Sequence, residues 1–303
     1  MRNIVLIDFL WLCDSSYWGF RDFKTKAPYV TSYSKVTSHL YGALHFLNLS
    51  KLYNTSDIIL CLDRGTAGRT GEQSTYKQGR SSREYSTTET LEYFKTLGLA
   101  TAHADGYEAD DVAFSLANYL VDNCEEPVKI ILFSGDDDWI YNLRHPNVSI
   151  RRSSAVKAGE MPVESYMEKK YHNCPPKALV LWKALRGDTS DNIKSVRGFS
   201  NKSASILCKE YTHFDADFIL EEMEAAPETL LEKGVKSADI VRLLGNADVF
   251  KSNIKMVSMI DCYDKISLIP NEVKPEEFEK LTTNYEFDRS FITKFNSSLL
   301  RGN

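Results

Sequence analysis

The 303-residue chain has no long apolar run. Stretches such as Ile58–Leu62 and Ile130–Phe133 are strand-sized, far short of the roughly 20 residues that cross a bilayer as a helix. Apolar residues follow Arg2, but Asp8 interrupts them and no small-residue cleavage site follows. Neither a membrane segment nor a secretory signal is therefore expected. Glycine and proline are scarce, 15 and 9 residues, which excludes collagenous and low-complexity chains. The cysteines (Cys13, Cys61, Cys124, Cys174, Cys208 and Cys262) form no C-x-x-C and no Cys/His pair at zinc spacing. That excludes a zinc module and predicts reduced thiols in a cytoplasmic protein. No G-x-G-x-x-G and no G-x-x-x-x-G-K-[ST] occurs, so the usual nucleotide loops are missing. The histidines form no H-E-x-x-H and no triad-like group.

What the chain does have is core material, 43% hydrophobic and 12% aromatic. In its first half short β-rich runs alternate with helical patterns, as in βαβ units. Strands are predicted at 3–8, 57–63, 129–134 and 148–152, and helices at 36–53, 87–97 and 108–121. Past residue 160 helical periodicity takes over, at 163–171, 176–186 and 202–211, and 254–261 reads as a strand or short helix. The expected architecture is an α/β domain with a mostly parallel sheet over 1–180, then a mainly helical domain over 181–303. Residues 64–86 are polar and too long for a routine connection. The aromatic run Trp11, Tyr17, Trp18 and Phe20 after the first strand reads as core packing, with base stacking as the alternative.

The net charge of −5 hides a pattern. Residues 1–150 carry net −5, residues 151–209 net +7, and residues 210–303 net −7. A basic middle between acidic flanks suits an anionic partner.

The carboxylates are the strongest signal. Asp8 and Asp63 each end a predicted strand, and Asp136 and Asp138 follow a third. Glu108, Asp110 and Asp111 open a helix, and Asp188 and Asp191 follow another. In a parallel sheet, ligands gather outside the carboxyl ends of the strands, so these groups converge. Clustered carboxylates repel unless cations neutralise them, and hard divalent ions take oxygen ligands. Two such ions suit phosphodiester displacement. If all nine acids face bound cations, the chain's −5 becomes +4, compatible with an anionic substrate.

In order and spacing these residues resemble the 5′→3′ exonuclease and flap endonuclease family, from Asn3 to about Tyr211. Tyr107-Glu108-Ala109-Asp110-Asp111 is similar to its Y-E-A-D-D, and Ser134-Gly135-Asp136-Asp137-Asp138-Trp139 to S-G-D-x-D-[WF]. Gly187-Asp188-Thr189-Ser190-Asp191-Asn192-Ile193 is similar to G-D-x-S-D-N-I. The resemblance implies a PIN-like sheet followed by a helix–three-turn–helix, and a metal-dependent 5′-nuclease. Two Mg²⁺ are implied, replaceable by Mn²⁺: one held by Asp8, Asp63, Glu108, Asp110 and Asp111, the other by Asp136, Asp138, Asp188 and Asp191. Arg69, Tyr76, Lys77 and Arg80 resemble the family's arch segment, with Lys77 and Arg80 aiding the transition state and Arg69 and Tyr76 contacting nucleic acid. Lys194, Arg197, Gly198, Ser200, Lys202 and Ser203 resemble the duplex-binding hairpin. There the family also implies K⁺, although Ser200 replaces the usual second glycine.

The implied substrates are DNA or RNA–DNA with a free 5′ end: flaps, nicks or RNA primers. Single-stranded-DNA-binding or other replication proteins are expected partners, and the protein is expected to be monomeric and cytoplasmic, in a host cytoplasm if phage-encoded. The rival reading is a catalytically silent nucleic-acid-binding protein, which would lack an acid at some motif position; none is lacking. A haloacid-dehalogenase-type phosphatase needs an Asp where Leu10 stands.

Overall fold

A computed structural model describes residues 1–74, 76, 77, 82–211, 215–288, 290 and 293. Six strands form one sheet: β1 (Arg2–Asp8), β2 (Ile58–Cys61), β3 (Ala100–His103), β4 (Val128–Phe133), β5 (Val148–Arg151) and β6 (Ser267–Ile269). Their spatial order is β5-β4-β1-β2-β3-β6, parallel except for β6, which runs antiparallel to β3. The helices are α1 (Phe9–Gly19), α2 (Gly42–Tyr53), α3 (Arg69–Glu72), α4 (Thr87–Lys95), α5 (Ala109–Asn123), α6 (Val163–Tyr171), α7 (Leu179–Arg186) and α8 (Asn201–Glu210). They continue as α9 (Ala216–Ala225), α10 (Pro227–Glu232), α11 (Ser237–Leu244), α12 (Ala247–Val257) and α13 (Pro275–Asn284). Among the described residues no helix is long and apolar enough to cross a membrane.

β1 lies at the centre, and its residues 4–8 are buried, as in a strand covered on both faces. One core cluster joins Leu6, Ile130 and Leu132 of the sheet to Leu207, Met223 and Phe250 of the later helices. The other packs Ile7 and Phe133 with Leu12, Phe94 and Phe278. The core therefore continues across residue 180 without a break, and β6 and α13 return to the sheet.

Several elements differ from expectation. The aromatic run after β1, expected as core packing, is split by the helix α1 and its C-cap Phe20: Tyr17 is buried, Trp11 and Phe20 are half-buried, and Trp18 is 66% exposed. The buried stripe of α1, Phe9, Leu12, Cys13, Ser16 and Tyr17, has helical spacing, but Ser16 disguises it by donating its hydroxyl to the Leu12 carbonyl. The helix expected from Val36 begins at Gly42, because Val36 pairs with Val30 and the Ser38 hydroxyl accepts from the Tyr29 N–H. β3, Ala-Thr-Ala-His, has little strand propensity and is set by its neighbours β2 and β6. Residues 254–257 complete α12, and no strand follows directly.

Candidate active site

Register brings the strand ends together. Asp8 lies opposite Cys61 of β2, and Ile7 opposite Phe133 of β4. Chain order reverses between β1 and β4, the switch point where parallel sheets bind ligands. Asp8 caps α1 by accepting the Trp11 N–H at 3.0 Å, and takes the Ser134 hydroxyl across the switch at 2.8 Å. Burial raises its carboxyl to about 7, and Asp63 and Asp136 push in the same direction. Asp63 is exposed and accepts the Ala109 N–H at 2.9 Å, tying β2 to the start of α5.

On the far side of the switch the acids meet α7. Gly187 ends that helix at φ 77°, and a Cβ there would lie 2.6 Å from the Ile193 carbonyl oxygen. Only glycine fits this turn, which pairs Asp188 with Ile193 and aims Asp188 and Asp191 at Asp138. One carboxylate oxygen from each of Asp138, Asp188 and Asp191 lies within 4.8 Å of the others. Asp136 is exposed on the same turn, its Oδ1 accepting the Asp138 N–H at 3.0 Å. Asp110 accepts the Trp139 indole N–H at 2.6 Å. Burial raises the Asp110 carboxyl well above its usual range, with Asp136 adding to the shift and Lys77 opposing it.

Two lysines enter this cluster. Lys77, at φ 54°, donates to Glu108 Oε1 at 2.6 Å. Burial disfavours its charge, but Asp110, Glu108 and Asp191 outweigh that and raise its pKa. Lys183 of α7 pairs with Asp138 and lies 2.7 Å from Asp188 Oδ2. Burial lowers its pKa, but Asp138 and Asp188 more than compensate and hold the ammonium charged. Sequence reading missed Lys183. The available signal was a lone lysine inside the apolar run Leu179–Leu185, five residues before Asp188.

The structure gives other expected site residues different work. Arg69 is 4% exposed and uses all five of its N–H groups. It donates twice to Asp111, and once each to Glu108 and the carbonyls of Met256 and Ser258. It has no donor left for nucleic acid. Both Asp111 oxygens take this fork, and Oδ1 also accepts the Ile260 N–H at 2.9 Å. Tyr76 is buried, with its hydroxyl donated to Glu108 at 3.0 Å. Arg80 lies outside the described residues.

In the hairpin, Ser200 caps α8, and Ser200 and Ser203 both donate hydroxyls to buried Asp239, at 2.6 and 2.7 Å. Ser203 is fully buried, so its side chain braces the hairpin rather than meeting a ligand. Lys194, Arg197, Gly198 and Lys202 are exposed. Asp137, the unassigned middle acid of its motif, receives Arg152, Tyr166, Lys170 and Tyr171 and pins α6 to the acidic turn.

A mostly parallel sheet whose switch point gathers carboxylates, with Lys77 and Lys183 set among them, is a resolvase-like fold. Residues 9–174, just over half of the chain, match the 5′-3′ exonuclease N-terminal resolvase-like domain, and the chain belongs to that family. It is 32% identical over 203 residues to DNA polymerase I of Chloroflexus aurantiacus, covering 63% of this chain but 21% of the polymerase. It is 25% identical over 213 residues to the 5′-3′ exonuclease of Bacillus subtilis, covering 66% of this chain and 68% of that protein. Two solved structures share the fold over nearly the full length. The T5 5′-exonuclease with bound zinc matches at TM-score 0.59 and 20% identity, covering 99% of both chains. Flap endonuclease-1 of Methanococcus jannaschii matches at 0.57 and 14%, covering 98% of this chain and 91% of its own.

Proposed function

We propose that the protein is a metal-dependent, structure-specific 5′-nuclease that hydrolyses phosphodiesters in DNA or RNA–DNA carrying a free 5′ end. The observation that carries this reading is the acidic cleft itself. Asp138, Asp188 and Asp191 converge on one point, and the pKa values of Asp8 and Asp110 are raised by burial and by neighbouring acids. That donor set, all hard oxygen and carrying excess negative charge, fits divalent cations such as Mg²⁺ or Mn²⁺. Asp138, Asp188 and Asp191, with Asp136 beside them, would hold one ion; Asp8, Asp63 and Asp110 would hold the other, joined by Glu108 through Oε1 only where Lys77 turns from it to phosphate, because Oε2 already accepts from Arg69 and Tyr76. Asp111 we assign to the Arg69 pair. Bound ions supply Lewis-acid stabilisation of phosphate charge and make a coordinated water more acidic.

The chain's own residues do the rest. Lys77 and Lys183 bring fixed positive charge into a partly desolvated cleft, where it favours the extra negative charge of the transition state. Arg80 extends that role as a proposal from its place in the arch motif. Lys194, Arg197, Gly198 and Lys202 present an exposed basic hairpin suited to duplex phosphates. The polar groups around Ser200 are already paired through Asp239, so we assign no K⁺ to the hairpin. Related solved structures support the substrate class, one being a T5 flap endonuclease complex with DNA and metal ions. RNA-primer removal, replication-protein partners, a monomeric state and a cytoplasmic or host-cytoplasmic setting complete the proposal.

The test incubates 5′-labelled flap, nicked and RNA–DNA substrates with Mg²⁺, Mn²⁺, Ca²⁺ or EDTA. Cleavage is expected with Mg²⁺ or Mn²⁺ and none in EDTA. Asp188→Asn should abolish most cleavage while leaving flap binding in EDTA intact, since without metal the lost carboxylate contributes only repulsion toward phosphate. Undiminished activity in EDTA sinks the proposal.

A further inference from the structure

Beside the acidic cluster runs a second cleft of about 510 Å³, within the range of roughly 300–1,000 Å³ usual for small-ligand pockets. Asp136 and Asp188 line it, Trp11 and Trp182 contribute indoles, and Arg152 and Lys170 line it as well. Trp11 is the unusual member. Its helix neighbours Phe9, Leu12 and Cys13 are buried, yet Trp11 stays partly exposed in the cleft. One edge of its indole packs against Phe133, the rings 5.1 Å apart at 85°. The same indole covers Gly135 so closely that a Cβ there would lie 2.1 Å from Nε1. The turn carrying Asp136 is thus shaped to accept this ring, and the ring's position relative to the acids is fixed.

A held, half-exposed indole next to a phosphodiester-cleaving centre, with Arg152 and Lys170 in the same cleft, matches what a nucleotide presents: a flat base and an anionic phosphate. Arg152 and Lys170 share the single carboxylate of Asp137, and their side chains remain 29% and 53% exposed, within reach of a phosphate. We infer that this cleft is a nucleobase slot in which Trp11 stacks on a base flanking the scissile phosphate, so positioning the cut. The inference rests on the nuclease reading above.

The test places one abasic residue, in turn, at each nucleotide on either side of the cut in a flap substrate. Single-turnover rates are compared with those of the intact substrate, and binding of the same oligonucleotides is measured in Ca²⁺. Base–aromatic stacking predicts that wild-type protein is about 5- to 100-fold impaired at one abasic position. Trp11→Ala should lose that position-specific sensitivity, and Trp11→Phe should retain most of it. A merely structural Trp11 would change overall rate or stability without changing the abasic ratio. The binding ratio in Ca²⁺ gives the same comparison should Trp11→Ala prove inactive. Equal abasic sensitivity in wild type and Trp11→Ala, or none in wild type at any position, overturns the inference and leaves the nuclease reading standing. A wild-type protein that cleaves no substrate overturns both.

Discussion

At the scale of single residues, two positions are governed by what packs against them. Gly135 has no backbone need for glycine; the Trp11 indole simply occupies the space a methyl would need. Gly135→Ala should destabilise the protein by about 1–3 kcal/mol, as overpacking does, and displace the turn bearing Asp136 and Asp138. Adding Trp11→Leu should recover much of the stability, and urea titration of both variants checks this coupling. His39 is the second case. It is 3% exposed, stacks on Tyr85 at 4.3 Å, and its Nδ1 finds no hydrogen-bond partner among the described residues. Burial, aided by Lys35, lowers its pKa to about 4. Unfolded histidine titrates near 6.5, so between those values only the unfolded chain takes the proton. The stability contributed by neutral His39 is complete above about pH 6.5 and is lost as pH falls toward 4. At pH 5 the loss reaches about 2 kcal/mol. Urea midpoints at pH 7.5 and 5 should therefore fall further for wild type than for His39→Phe. Parallel losses would assign the acid sensitivity elsewhere.

At the scale of elements, the buried Arg69 fork is the tie that matters most. It joins α3 to the first turn of α5 and to the chain leaving α12, three segments remote in sequence. Glu108 and Asp111 cap α5 reciprocally, each side chain accepting from the other's backbone, and both also depend on Arg69 for charge balance. Removing one partner of such a buried pair strands the others. Arg69→Met should cost about 3–5 kcal/mol in urea unfolding. Arg69→Lys should recover little, because one ammonium cannot supply five donors in a planar fork. A lysine variant within about 1 kcal/mol of wild type would mean that charge alone, not the fork, holds α5. The same tie sets where Tyr76 and Lys77 meet Glu108, so these two residues and the acid cluster are built as one unit.

At the scale of the molecule, charge is divided along the chain, with the basic excess in residues 151–209. Part of that excess is neutralised internally: Lys183 faces acids, and Arg152 and Lys170 face Asp137. Lys194, Arg197 and Lys202 remain exposed at one hairpin. Replacing all three by alanine should weaken duplex binding uniformly across sequences. The log–log salt dependence should flatten by roughly 0.9 for each phosphate the hairpin no longer neutralises. An unchanged slope, measured by titrating labelled duplex at several salt concentrations, would show that the hairpin does not touch phosphate.

Sequence alone determined the sheet's central strands and the gathering of acids. Asp8, Asp63, Asp136 and Asp138 follow apolar runs, and parallel pairing sends every such end to one edge, so local pattern sufficed. Gly187 and the following acids were legible for the same reason, since their turn is made by adjacent residues. Tertiary structure alone decided which polar groups remain free. Arg69 and Asp111 have the same residue types as working site residues, but they are 42 positions apart and meet only when α3 packs on α5. Ser203 and Asp239, 36 apart, are likewise paired by folding, which turns an expected ligand contact into a brace. β3 and β6 also belong to this second group, because Ala100–His103 becomes a strand through backbone partners supplied by distant segments. Periodicity reports which face a residue turns to the core. Whether its donors and acceptors are already satisfied depends on neighbours that only the folded chain brings within hydrogen-bond reach.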